Sequence, residues 1–213
     1  AGNAATRILQ ASGTASLPYT IRINNLSYIS IKNLTIRGTG GNAWPVNILA
    51  SSTVTADTIK NCIIDFGSTS VASFNSTNYM GIVLNGNATS YSTAGTFGNI
   101  IIDSNTIQGG FANIMVYANN SSSTGGNQFT GNACNNAYQY GVYLQGINAG
   151  TFDRNSINMN TNLASSSGLY LSSANSLAST NTWSIQRNSI INAGQYGIFL
   201  ASTAANATSR GKI

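Results

Sequence analysis

The sequence contains no histidine and no glutamate, and its acidic residues are four aspartates, Asp57, Asp65, Asp103 and Asp153. Charged residues make up only 6% of the chain, and nine Lys and Arg leave a formal net charge of +5. Without His, the commonest general acid-base group and metal ligand is missing. Four scattered carboxylates are too few for a calcium cage of six to eight oxygens, so no metal or cofactor is expected. The basic residues form no run or stripe that could track phosphates, which argues against nucleic acid as a partner. No apolar run nears the 18 residues of a membrane span, so no transmembrane segment is expected. Two cysteines, Cys62 and Cys134, cannot make a framework of bridges, and without His they make a poor zinc site.

Asn, Ser, Thr and Gly fill the space that charge leaves, and they do so periodically. A phrase φ-x-φ followed by Asn recurs, ending at Asn33, Asn61, Asn105, Asn132, Asn155 and Asn188. A second phrase follows each one: PVNIL from Pro45, then GIVL, NIMV, GVYL, GLYL and GIFL from residues 81, 113, 141, 168 and 197. The spacings between these anchors are 36, 32, 28, 27 and 29 residues. Two short strand signals in strict alternation at a period near 30 describe one coil of a solenoid per repeat. A stub with every second residue apolar cannot bury that face alone, but it can when coils stack in parallel at roughly 4.8 Å. Helices are excluded because Gly, Asn, Ser and Thr interrupt almost every window. A β-sandwich also has many short strands, but it does not explain six cycles in one order.

The run SIQRNSIINAGQYGIFL, and its counterparts from about residue 20 to residue 203, resemble the generic coil of the right-handed parallel β-helix, the pectate-lyase-like superfamily. The resemblance implies an all-β solenoid of about six to seven coils, each of three short strands, forming one domain over residues 1–213. It implies little about activity, because the family includes pectate lyases, polygalacturonases, phage tailspikes and non-catalytic adhesins. The start, AGNAATRILQ, has little of a solenoid cap, and SRGKI breaks off where another coil would begin. The chain is therefore expected to be a segment of a longer protein, joined to adjoining coils.

Register then assigns columns of side chains. The six Asn residues at the end of the first phrase are expected at one corner, where Asn tolerates left-handed backbone and stacked amides bond each other. Lys32, Lys60, Asp103, Thr130, Asp153 and Gln186 form an outward column. In it Asp103 and Asp153 lie two coils apart, roughly 9–10 Å at the strand spacing, near the upper limit for an inverting pair of carboxyls. Polygalacturonases carry a tighter Asp cluster with His, and the lyases hold Ca²⁺ with several acids; neither pattern is present here. In the second phrase the outward residues are Asn47, Val83, Met115, Tyr143, Tyr170 and Phe199, with Tyr140 and Tyr196 near the same edge. Such a stripe suits sugar rings, or it packs along the sheet under a long loop. Insertions at 85–99, 118–127 and 171–182 would fringe one edge and carry almost no titratable group.

These features point to a secreted, non-catalytic β-helix of a bacterial cell-surface protein, acting in adhesion, extension or glycan contact. Its expected partners are a polysaccharide or another surface protein. The rival is a polysaccharide lyase or glycoside hydrolase whose remaining catalytic residues lie outside this segment.

Overall fold

The computed structural model describes residues 4–67, 74–160, 163–172 and 183–201. A 3₁₀ turn spans Ala4–Thr6; the remaining named elements among the described residues are strands, and every pairing between them is parallel. Three sheets run the length of the rod. Sheet 1 holds the first phrase: Ser30–Lys32, Thr58–Lys60, Ile101–Asp103, Asn127–Thr130, Gly150–Asp153 and Trp183–Gln186. Sheet 2 follows the Asn corner and begins with Ile8–Gly13 and Thr35–Gly40; its later strands run from Ile63–Asp65 to Ser189–Ile191. Sheet 3 holds the second phrase, from Tyr19–Asn24 and Trp44–Leu49 to Ser167–Ser172 and Tyr196–Ala201. Six complete coils of three strands stand on a first partial coil of two. The chain is thus a parallel β-helix, and the right hand of parallel crossovers sets its sense.

The core consists of vertical columns. Sheet 1 contributes Ile31, Ile59, Ile102, Phe129, Phe152 and Ile185 in one register. Sheet 2 contributes Ile36, Ile64, Ile107, Cys134, Ile157 and Ile190. Sheet 3 contributes two columns, one from Val46 to Ile198 and one from Ile48 to Leu200. Most of these side chains have no exposed surface. In the last strand, Ile198 and Leu200 are 37% and 41% exposed, since no described coil lies beyond them.

The glycine that opens the second phrase has a steric cause. A Cβ on Gly81, Gly141 or Gly168 would lie 2.6, 2.4 or 2.2 Å from the Cγ2 of Ile107, Ile157 or Ile190, the sheet 2 residue of the next coil. Asn113 stands in this glycine column, and the sheet 2 residue that register places opposite it is the smaller Cys134. Asn113 donates from Nδ2 to the carbonyls of Gly109 (2.8 Å) and Asn135 (3.2 Å).

The linkers do more than fringe one edge. Within the 85–99 insertion, Thr96–Gly98 pairs with Thr53–Thr55, adding a short fourth wall with Val54 and Phe97 fully buried. Residues 173–182 of the third insertion lie outside the described residues. Both cysteines are free and buried, and burial pushes the Cys134 thiol up to about 12.

Candidate functional site

The Asn corner divides into two adjacent positions. The turn itself needs a left-handed residue, and it is Asn33 (φ 58°) and Asn61 (φ 53°) in the first two coils. Ser104, Gly131, Arg154 and Arg187 fill it in the next four. One residue later comes an inward position, occupied by Leu34, Cys62, Asn105, Asn132, Asn155 and Asn188. Only the last four of these make the amide ladder. Nδ2 of Asn105, Asn132 and Asn155 donates to Oδ1 of the next Asn at 3.0, 3.1 and 3.0 Å. The same nitrogens, and that of Asn188, donate to sheet 1 carbonyls of the preceding coil at 2.8–2.9 Å. Each Oδ1 also accepts the backbone N–H of the coil before, beginning with Cys62. Asn33 and Asn61 therefore serve the turn, and Asn105, Asn132, Asn155 and Asn188 serve the stack. The shift of one residue is hidden in sequence because both positions favour Asn.

On the outer face of sheet 1, register aligns Lys32, Lys60, Asp103, Thr130, Asp153 and Gln186 in one column. Five of them line an open groove of about 550 Å³, which brings Asp103 and Asp153 to one site. Neither carboxylate is uncommitted. Asp103 meets the Lys60 ammonium at 2.6 Å and accepts from the Thr130 and Ser104 hydroxyls at 2.7 and 3.1 Å. Partial burial pushes its carboxyl up, but the Lys60 ammonium and the two hydroxyls prevail and hold it below the ordinary range. Asp153, only 3% exposed, takes a bidentate grip from Arg187 at 2.8 and 2.6 Å, with Arg154 at 3.3 Å. Asp65 is gripped likewise by Arg37 at 2.5 and 2.9 Å. Asp57 is fully buried and accepts the Ile29 N–H at 2.9 Å. Among the described residues, no three His, Cys, Asp or Glu gather as a metal site.

On the outer face of sheet 3, Asn47, Val83, Met115, Tyr143, Tyr170 and Phe199 also fall in one column. Its first half is roofed: Asn47, Val83 and Met115 are at most 1% exposed. The roof is the 86–95 loop, whose Tyr91 packs against the buried cluster that holds Val83 and Met115. Asn85 pins that loop, donating to the carbonyls of Asn87 (2.5 Å) and Ser90 (2.8 Å) while accepting from Asn47 (2.9 Å).

The second half is a ring stack. Tyr143 and Tyr170 lie 4.8 Å apart with planes 9° from parallel, and Phe199 follows at 4.7 Å and 27°. Tyr140 leans edge-on against Tyr143 and Tyr170 at 4.9 and 5.6 Å, and Tyr196 packs on Phe199 at 4.8 Å. All five predicted aromatics thus form one array, but not the open platform that the stripe suggests. Both faces of Tyr170 are covered by neighbouring rings, so it presents an edge outward. On its other side Tyr143 adjoins the buried Met115. There a cleft of about 250 Å³ opens between the loop and the stack, lined also by Phe111, Tyr117 and Gln145. Burial first, and then the surrounding tyrosines, raise the Tyr143 hydroxyl well above its ordinary value, and it hydrogen-bonds the Gln145 amide oxygen.

Set against protein-family models, curated proteins and solved structures, the chain gives no significant match. Its own geometry is what bears on function. Tyr91 and Gln145 escape a reading based on repeats, since Tyr91 lies in an insertion and Gln145 at a strand end. The only sequence signal for Tyr91 is an aromatic in a loop otherwise built of small polar residues and Phe97, 85–99.

Proposed function

We propose that this chain is a non-catalytic β-helix of a secreted surface protein, serving as a stiff extension that contacts glycan along its sheets. One observation carries this reading: Asp65, Asp103 and Asp153 are each held by a cation and Asp57 is fully buried, in a chain with no Glu or His. A glycosidase acid needs a raised carboxyl pKa, with a second carboxylate free to act on water or sugar. Asp103 is instead held low by its partners, and Asp153 is gripped by Arg187. The likeness of its coils to the pectate-lyase-like superfamily concerns the repeat pattern and brings none of that family's catalytic residues. An almost uncharged surface of Asn, Ser and Thr suits an extracellular setting.

A polysaccharide hydrolase or lyase completed by residues outside this segment is the second reading. Its support is that Asp103 and Asp153 line one groove. Incubating the chain with polygalacturonan and with neutral polysaccharides separates the two. The expected result is no new reducing ends or unsaturated products, together with retained glycan on a binding array. Turnover that disappears in Asp103→Asn or Asp153→Asn would establish the enzyme reading instead.

A further inference from the structure

We propose that the cleft between the 86–95 loop and the aromatic stack seats a single neutral sugar ring, an inference that rests on the glycan-contact reading above. Three features define the occupant. The first is the aromatic lining. Tyr91, Phe111, Tyr140 and Tyr143 border the cleft, with Tyr140 edge-on to Tyr143 at 4.9 Å. Such rings offer flat apolar surface for the C–H face of a pyranose.

The second feature is the polar rim. Gln145 spends its amide oxygen on the Tyr143 hydroxyl, which leaves its Nε2 as a donor in the lining. Tyr117 and Ser92 add hydroxyls to the lining. An apolar floor with convergent neutral donors and acceptors matches a ring whose faces are C–H and whose edge is hydroxyl. No charged side chain lines the cleft. A uronic acid would find no cation there, so the ligand is an uncharged hexose rather than a galacturonate.

The third is size. About 250 Å³ lies just below the range of 300–1,000 Å³ usual for drug-sized ligands, and suits one ring rather than a length of extended chain. A proline-rich peptide would need a longer groove.

The test uses the whole 213-residue chain, neutral oligosaccharides, a galacturonate oligomer and a proline-rich peptide, with saturation-transfer NMR and titration. Binding of neutral sugar is expected, weakened at least about tenfold by Tyr91→Ala and by Gln145→Leu. The second variant keeps the volume and removes the amide. Tyr196→Ala, at the far end of the array, should leave binding unchanged, and thermal melts of all three verify folding. If the wild-type chain retains no glycan at all, the contact reading falls and the cleft with it. If it binds glycan undiminished in Tyr91→Ala and Gln145→Leu, the cleft assignment alone is overturned. Preference for galacturonate or for the peptide over neutral sugar also overturns it.

Discussion

Replacing Asp57 with Asn should make this protein more stable at neutral pH. Asp57 and Asn127 occupy equivalent places at the entrance to sheet 1, two coils apart in one register. Each accepts, through Oδ1, the backbone N–H of the coil before: Ile29 to Asp57 at 2.9 Å and Ile100 to Asn127 at 3.1 Å. Asn127 then uses its Nδ2 to reach the carbonyls of Thr124 (2.9 Å) and Asn148 (2.8 Å). The matching atom of Asp57 is Oδ2, which is buried and has no hydrogen-bond partner. An unsatisfied buried polar group costs about 1–3 kcal/mol, and a new hydrogen bond contributes about 1 kcal/mol. Asp57→Asn should therefore gain about 1–3 kcal/mol, or about 3–10 °C in Tm for a chain of this length.

The pH dependence makes this prediction sharper. Burial raises the Asp57 carboxyl, opposed in part by the Ile29 N–H. A raised folded-state pKa means that the native protein holds a proton which the unfolded chain has released. That stabilisation is complete below the ordinary carboxylate pKa and is lost as pH rises through the folded value. Asp65 and Asp103 act with the opposite sign. Partial burial pushes both up, but Arg37 and Lys60 prevail and hold them low, so their contributions are lost as pH falls. The difference between wild type and Asp57→Asn isolates the one site. Denaturant unfolding from pH 4 to pH 8 should show the variant's advantage growing with pH. An advantage independent of pH, or a variant less stable at pH 7, would refute the reasoning.

The remaining predictions concern the columns. Cys134→Ile alone should cost about 1–3 kcal/mol by crowding Asn113, and Asn113→Gly alone should also destabilise by removing the amide's bonds to the Gly109 and Asn135 carbonyls. Combined, they recreate the Gly–Ile pairing of the other coils, so a double-mutant cycle should show favourable coupling above about 1 kcal/mol, and strict additivity would count against the steric pairing. Gly168→Ala forces a Cβ within 2.2 Å of Ile190, whereas Gly197 meets no described atom within 4 Å. The first should lower Tm by several degrees and the second should barely move it, although both open the same phrase. Asn132→Leu should cost about 2–4 kcal/mol in chemical denaturation, because it removes the side-chain donor to the Ile102 carbonyl and breaks the ladder on both sides.

Much of the fold was readable because a solenoid writes its tertiary contacts as a period. The alternation of apolar residues named the inward face, and the fixed order of the two phrases named the neighbours above and below. The columns from Lys32 to Gln186 and from Asn47 to Phe199 follow from counting alone. Two matters resisted counting. Asn33 and Asn61 look identical to Asn105 and Asn132 in sequence, yet they sit one residue earlier, where backbone geometry rather than amide pairing selects Asn. The 85–99 insertion reads as a polar fringe, yet it adds a strand to a fourth wall and packs Tyr91 against the cluster around Val83 and Met115.

The sequence by itself determined the winding of this chain, because a period near 30 with inward Ile, Leu and Val has a buried solution only when like strands stack. It also determined the poverty of chemistry, since no fold can supply the imidazoles and spare carboxylates that are not encoded. Only the tertiary structure decided how the surviving groups are spent. Lys60 and Arg187 neutralise the two Asp of the groove, and ring faces on successive coils cover one another. Those outcomes depend on distances of a few ångströms between side chains more than 20 residues apart in sequence, and side-chain orientation across such a gap is not written in the local pattern.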